Sequence, residues 1–336
     1  MIHLFTHTDL DGLGCAIVAR AYLGTDLSVV FCDYDNVNKE LNEFMQSDRW
    51  HEEDKVIISD ISPDDETAEK IEHWLAANNI DLVMLDHHNS AVIRLNGYTW
   101  SKAYTEYPDG RKTSGTSLVF DYFNCRNFFA EGIAYAIPEW AKKQAEGFEH
   151  NESLEKFVDL VRMYDIWEWK TNPLGGTARK LQMIFTRMDR LEFIEEMSSE
   201  YIAKDSDFTS FTAKHQQFIE ENEEAENRAY EDAMRTFMDF EDEVSGYHVG
   251  MCFSNRATSI VCDRILTEKP EIDYIIAVNT VYKKLEFRSQ RLDLDLGASI
   301  APLYGGGGHP QAAGALLTTD ILEAVFKCIY NSKKSV

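Results

Sequence analysis

Three short apolar runs in this chain each stop at a carboxylate or an imidazole, and this repetition constrains the fold more than any bulk property. Ile2-His3-Leu4-Phe5 leads into Thr6-His7-Thr8-Asp9-Leu10-Asp11-Gly12; Lys55-Val56-Ile57-Ile58 leads into Ser59-Asp60-Ile61-Ser62; Leu82-Val83-Met84-Leu85 leads into Asp86-His87-His88-Asn89. Continuous aliphatic runs of this length read as strands buried on both faces, as in a parallel sheet covered by helices. Open α/β sheets place their ligands at the carboxyl ends of such strands. His7, Asp9, Asp11, Asp60, Asp86, His87 and His88 are therefore expected at one sheet edge. Each alone says little, because a histidine or aspartate in a loop is ordinarily just solvated. Crowded together, like charges repel unless a cation sits among them, so the set implies bound metal.

The intervening sequence supports a doubly wound parallel sheet. Gly12 to Leu23 has the small and apolar spacing of a helix packed on a sheet, and Leu27 to Phe31 reads as the next strand. Helices at about Val37–Met45 and Asp64–Ala77 precede the strands that end at Asp60 and Asp86, which gives βαβ alternation. Past Asn89 the pattern turns to loops and then helices. Lys112-Thr113-Ser114-Gly115-Thr116-Ser117 opens an apolar run with N-cap hydroxyls and free backbone donors. That stretch suits either an ordinary capped helix or an anion contact. Within Phe157–Trp169, Asp165 falls beside the stripe of Phe157, Leu160, Val161 and Tyr164, and so is expected to point inward. Residues 191–240 look helical and strongly acidic, a solvated linker. From Gly246 a second unit follows: strand 247–253, helix near 258–267, strands 272–280 and 282–289, helix near 296–303, strand near 314–318 and a final helix. It contains Tyr304-Gly305-Gly306-Gly307-Gly308-His309-Pro310-Gln311-Ala312-Ala313-Gly314, where consecutive glycines leave backbone amides bare beside an imidazole.

The succession H-x-D-x-D-G, a lone Asp and then D-H-H resembles the DHH phosphoesterase superfamily. That family includes RecJ-type exonucleases, short-oligonucleotide and cyclic-dinucleotide phosphodiesterases, and family II pyrophosphatases. The glycine string resembles the G-G-G-H-x-x-A-A-G of the DHHA1 substrate domain, and Leu285-Glu286-Phe287-Arg288-Ser289 resembles the strand of that domain whose Arg faces the cleft. The resemblance implies a DHH metal-binding catalytic domain at 1–190, an acidic helical linker at 191–244, a smaller α/β DHHA1 substrate-binding domain at 245–336, and a cleft between the domains. It implies that His7, Asp9 and Asp60 hold one metal ion and Asp11, Asp60, His87 and Asp165 a second, with Asp60 bridging. His88 would lie near the scissile phosphate and Asp86 would orient the pair, as the catalytic residues. Arg288, Gly306, Gly307, Gly308, His309 and Ser114 would contact substrate. Mixed imidazole and carboxylate ligands suit Mn²⁺ better than Mg²⁺, with Mg²⁺ and Co²⁺ left open.

Composition then narrows the substrate. The 336 residues, 44% of them hydrophobic, suffice for two domains with sizeable cores. The formal net charge of −25, from 33 Lys and Arg against 58 Asp and Glu, opposes a track for long nucleic acid, which needs many phosphate-neutralising cations. A short linear oligonucleotide held by metals is compatible with it. The expectation is therefore a metal-dependent phosphodiesterase that releases mononucleotides, with 5′-phosphorylated dinucleotides such as pGpG as leading substrates. The alternatives are a RecJ-like exonuclease, a phosphatase acting on 3′-phosphoadenosine 5′-phosphate or pyrophosphate, and a non-catalytic nucleotide sensor. No apolar segment is long enough to span a bilayer, and no basic-then-apolar leader opens the chain, so a cytoplasmic location without membrane contact is expected. A homodimer is left open. The scattered Cys15, Cys32, Cys125, Cys252, Cys262 and Cys328 suit reduced core thiols.

Overall fold

The computed structural model describes residues 1–51, 53–124, 139–146, 148, 151–242 and 246–323. The chain divides into two compact units, Met1–Ile219 and Glu220–Val336.

In the first unit, strands β1 (Ile2–His7), β2 (Leu27–Cys32), β3 (Lys55–Ser59), β4 (Asp81–Asp86) and β5 (Ser101–Ala103) form one sheet in the order β2-β1-β3-β4-β5. All its pairings are parallel. Alternate side chains go to opposite faces. Leu4, Ile57, Val83 and Leu85 join one apolar cluster, while Phe5, Val56, Ile58 and Met84 join another. Each such side chain, fully buried, contributes roughly 1.5–3 kcal/mol. The first cluster is completed by α1 (Leu10–Leu23), and the second by α2 (Val37–Gln46), α3 (Asp65–Ala77) and α4 (Asn89–Leu95). Helices α5 (Gly115–Phe123), α6 (Glu139–Glu146), α7 (Glu152–Asp165), α8 (Gly175–Phe185) and α9 (Arg190–Glu196) follow and all add residues to the first cluster. The chain moves from β1 outward to β2 and then back across to β3, so the strand order reverses between β1 and β3, where such sheets open a crevice.

The junction between the units departs from the sequence expectation in two places. Residues 191–240 are not one helical stretch: α9 continues into a widened turn at Met197–Ile202, and helix α10 (Ala213–Arg235) starts only after a loop. In that loop Asp205 and Phe208 take left-handed φ values of 51° and 57°, and the buried Phe208 ring stacks on Tyr201, which breaks the helix. The division between units falls within α10. Next, Met238–Glu241 is an edge strand, β6, because its apolar–acidic alternation suits pairing with the following strand.

The second unit holds β6, β7 (His248–Phe253), α11 (Thr258–Glu268), β8 (Tyr274–Asn279), β9 (Lys284–Arg288), β10 (Gly307–Gly308) and β11 (Ala312–Leu316), in the sheet order β10-β11-β9-β8-β7-β6. Cys252, Ile275 and Ala277 pack under α11, whereas Met251, Ile276 and Val278 face Leu296, Ile300 and Ala301. The helix expected near 296–303 is a widened turn, Leu296–Ile300, followed by a tight one, Ala301–Tyr304, which carries Pro302 as its second residue. The expected terminal helix begins at 319 and otherwise lies outside the described residues. Cys15, Cys32, Cys252 and Cys262 are buried and unbridged; Cys125 and Cys328 lie outside the described residues.

The glycine string is set largely by packing. A Cβ on Gly306 would lie 2.0 Å from the Gly314 carbonyl oxygen, whereas one on Gly307 would meet nothing within 4 Å. Gly306→Ala is therefore expected to cost about 1–3 kcal/mol, the usual range for overpacking. Gly307→Ala should stay within about 0.5 kcal/mol of wild type. Chemical denaturation of the two variants distinguishes them, and equal losses would contradict this packing.

Candidate metal centre

The sheet register explains why residues far apart in sequence meet. Thr6 pairs with Ser59 and Ser59 with Leu85, so β1, β3 and β4 deliver His7, Asp60 and Asp86 on the next rung. The rung beneath is tied by Ser59 Oγ donating to Thr6 Oγ1 at 3.0 Å. Asp60 takes a left-handed φ of 56°, a conformation aspartate tolerates better than most residues, and its N–H donates to the Leu85 carbonyl.

Helix starts supply the remaining order. Asp9 caps α1 by accepting from the Gly12 N–H at 3.0 Å. Asp11, in the first turn of α1 and 2% exposed, accepts from Gly115 N–H at 2.6 Å and Thr116 N–H at 3.0 Å. The free donors of the α5 N-terminus thus fix a carboxylate of the cluster. This approach needs Gly115, because a Cβ there would lie 2.5 Å from the Asp60 Cβ. Ser114, expected among the substrate contacts, is fully buried; its hydroxyl accepts from Ser117 N–H in a reciprocal capping box.

The ligand candidates converge on Asp60. Its Oδ2 lies 3.9 Å from His7 Nδ1 and its Oδ1 lies 3.2 Å from His87 Nε2. His7 Nδ1 is also 2.9 Å from Asp9 Oδ2, and His87 Nε2 is 3.7 Å from Asp11 Oδ2 and 3.4 Å from Asp165 Oδ2. Asp165, the last residue of α7, has a side chain 25% exposed. Two groups, His7–Asp9–Asp60 and Asp11–His87–Asp165, each have one donor atom per residue within 4.8 Å of the others. A third grouping adds Asp86 and His88 to Asp60 and His87. In that one Asp86 Oδ1 already accepts from the His87 and His88 backbone N–H groups and lies 2.7 Å from His88 Nδ1. Asp86 therefore orients His88.

These contacts leave buried polar atoms unanswered. His87 Nε2 and Asp60 Oδ2 have no hydrogen-bond partner, a costly state in a folded protein. Burial, with the neighbouring Asp11 and Asp9 charges, pushes the Asp60 and Asp165 carboxyls well above their ordinary range. Burial and the adjacent His88 push His87 down, toward the neutral imidazole that coordinates metal. Burial opposes ionisation of Asp9 too, but its His7 and Gly12 partners hold it at about 2. A neutral imidazole beside a carboxylate oxygen with no donor, as at His87 Nε2 and Asp60 Oδ2, fits a divalent cation.

Sequence reasoning missed Asp33 and Tyr34, which follow β2. Asp33 Oδ1 lies 3.6 Å from His7 Nε2 and accepts from Thr8 Oγ1; the Tyr34 hydroxyl is 3.3 Å from His88 Nε2. The strand-end rule that found Asp60 points to Asp33 as well. In the second unit, Arg288 Nη2 donates to Ser259 Oγ at 2.9 Å and approaches Glu286 at 3.3 Å, while its Nε is buried without a partner. His309 is exposed.

A 2-1-3-4-5 parallel sheet bears this carboxylate and imidazole cluster at its switch point, with Asp-His-His after the fourth strand, the arrangement that the resemblance to DHH phosphoesterases implies. Residues 1–147 match the DHH family, N-terminal domain. Over its whole length the chain is 27% identical to Oligoribonuclease NrnB of Bacillus subtilis (strain 168), covering 81% of that protein. The fold is similar to that of RecJ from Thermus thermophilus, solved with Mn²⁺, at a TM-score of 0.57 and 14% identity, over 96% of this chain and 50% of RecJ. It is also similar to the pGpG-specific phosphodiesterase PggH of Vibrio cholerae, at a TM-score of 0.50 and 13% identity, over 100% of this chain and 99% of that one.

Raised carboxylate pKa values have a definite sign. Asp60 and Asp165 favour the folded metal-free protein below the ordinary carboxylate range, and that contribution is lost as pH rises through their raised folded values. Metal-free protein should therefore lose stability from acid to neutral pH on their account, and Mn²⁺ should restore it. At a hundred times Kd the gain is about 2.7 kcal/mol. Asp60→Asn should show neither the Asp60 share of the pH loss nor most of the Mn²⁺ gain in thermal melts. Full Mn²⁺ stabilisation of that variant would contradict the assignment.

Proposed function

We propose that this chain is a two-metal phosphodiesterase that hydrolyses very short linear oligonucleotides to mononucleotides. The observation that carries this reading is Asp60, whose two oxygens face two different groups of ligands. His7, Asp9 and Asp60 would hold one divalent cation, and Asp11, Asp60, His87 and Asp165 the other, with Mn²⁺ the best match to the mixed donors. Such a pair, when bound, lowers the pKa of a shared water and neutralises charge on phosphate oxygens.

The chain's own groups do the rest. Asp60, held in a left-handed turn under α5, keeps its carboxylate divided between the two ligand groups. Asp11, fixed by two N–H donors, cannot turn away from the cluster. Asp86 fixes the His88 ring through Nδ1, so Nε2, whose contact with the Tyr34 hydroxyl is long at 3.3 Å, is the atom that would hold a proton against a phosphate oxygen when substrate takes that place. Arg288, Gly306, Gly307, Gly308 and His309 are proposed to add substrate affinity.

The name of the Bacillus relative supports the substrate class, and the net charge of −25 supports short length, since added nucleotides would meet acidic surface. Within that class a 5′-phosphorylated dinucleotide such as pGpG leads, because a linear substrate offers a terminal phosphate that a cyclic dinucleotide lacks. The test is kcat/KM with Mn²⁺ over a ladder of RNA lengths, with pGpG, cyclic dinucleotides, 3′-phosphoadenosine 5′-phosphate and pyrophosphate alongside. The expected order falls steeply beyond the shortest oligonucleotides. Equal or better cleavage of long strands would overturn the length preference in favour of an exonuclease.

Roles can be separated by pairing kinetics with elemental analysis. Arg288→Ala and His309→Ala should raise KM with manganese content unchanged, whereas His87→Ala should lower manganese content. Manganese loss in His309→Ala would contradict this division.

A further inference from the structure

Tyr34 is an aromatic side chain at the candidate centre that no role assigned so far accounts for. It follows β2, the residue is 60% exposed, and among the described residues it makes ring contacts to both His7 and His88. The His7 and Tyr34 ring centroids are 5.1 Å apart at 49°, while the His88 ring meets Tyr34 edge-on at 6.3 Å and 87°. The hydroxyl turns inward to His88 Nε2 at 3.3 Å, a long bond. That histidine is anchored on its other nitrogen by Asp86 at 2.7 Å. The polar tip of Tyr34 is thereby indexed to the centre and its ring is presented to solvent. An exposed loop tyrosine is ordinarily turned to solvent; this one lies against His7 and directs its hydroxyl to His88.

A nucleotide whose phosphate reaches His7 and His88 carries, on the sugar attached to that phosphate, a flat apolar base. Every base has a π-face, so an aromatic ring there adds affinity without demanding a particular sequence. Tyrosine provides such a platform at low conformational cost, because its flat ring has few rotamers to lose. We propose that Tyr34 is the stacking platform for the nucleobase flanking the scissile phosphate, and so a substrate-positioning residue. This rests on the phosphodiesterase reading above. It makes affinity depend on the presence of a base rather than on which base it is.

The experiment uses the full-length Mn²⁺-loaded protein and two substrates, pGpG and a counterpart in which the flanking guanine is replaced by hydrogen. Tyr34→Phe keeps the ring and should keep KM for pGpG near wild type. Tyr34→Leu should raise KM for pGpG about ten-fold, the scale of one lost stack, and leave KM for the abasic substrate unchanged. Wild type itself should bind the abasic substrate about ten-fold more weakly than pGpG, a comparison that does not depend on a variant folding. Unaltered KM in Tyr34→Leu with an active wild type would overturn the role of Tyr34 alone, as would an equal rise on both substrates. Wild-type protein inert toward every oligonucleotide would remove the phosphodiesterase reading and this role with it.

Discussion

Mutual repulsion among buried carboxylates is the constraint on which the first unit turns. Asp11 and Asp60 are almost fully buried beside Asp165, with no Lys or Arg among the ion pairs that link them. Burial alone would drive such groups to bind protons. The structure does not relieve the crowding with protein donors at Asp60: Asp11 receives two N–H groups from α5, while Asp60 Oδ2 receives none. A site in which one acid is held by donors and the next is left bare is organised for a cation, because a satisfied carboxylate keeps its direction and a bare one keeps its lone pairs.

The scaffold serves that arrangement in several places. In-register parallel strands bring His7, Asp60 and Asp86 to a common height. Gly115 lets α5 come down onto Asp60, and Thr116 Oγ1 then reaches the Asp11 carbonyl at 2.7 Å. Core packing on both sheet faces gives these strand ends a rigid base, as metal ligation requires.

Much of this was legible in sequence, because the strands and ligands are local signals. The apolar runs stop where the acids begin, and period-two burial follows from the runs themselves. Asp165 was legible through its helical stripe. What the sequence did not disclose are the long-range pairings. The donors of Gly115 and Thr116 serve an aspartate more than a hundred positions earlier, so a hydroxyl-rich helix start that reads equally as an anion site is committed to Asp11. Asp33 and Tyr34 follow a strand as apolar as the others, Leu27–Cys32, but Asp33 belongs to none of the spaced His and Asp motifs that draw attention to His7, Asp9, Asp11 and Asp86–His88. The glycine string illustrates a different limit: sequence reads four glycines as bare backbone, while Gly306 and Gly308 are glycine because β11 lies against them.

The central claim is that Asp60 joins two cation sites, and anomalous diffraction at the manganese edge from Mn²⁺-soaked crystals tests it most directly. The account predicts two anomalous peaks in the first unit, one among His7, Asp9 and Asp60 and the other among Asp11, Asp60, His87 and Asp165, with Asp60 touching both. A single peak, or peaks that leave Asp60 uncoordinated, would contradict it.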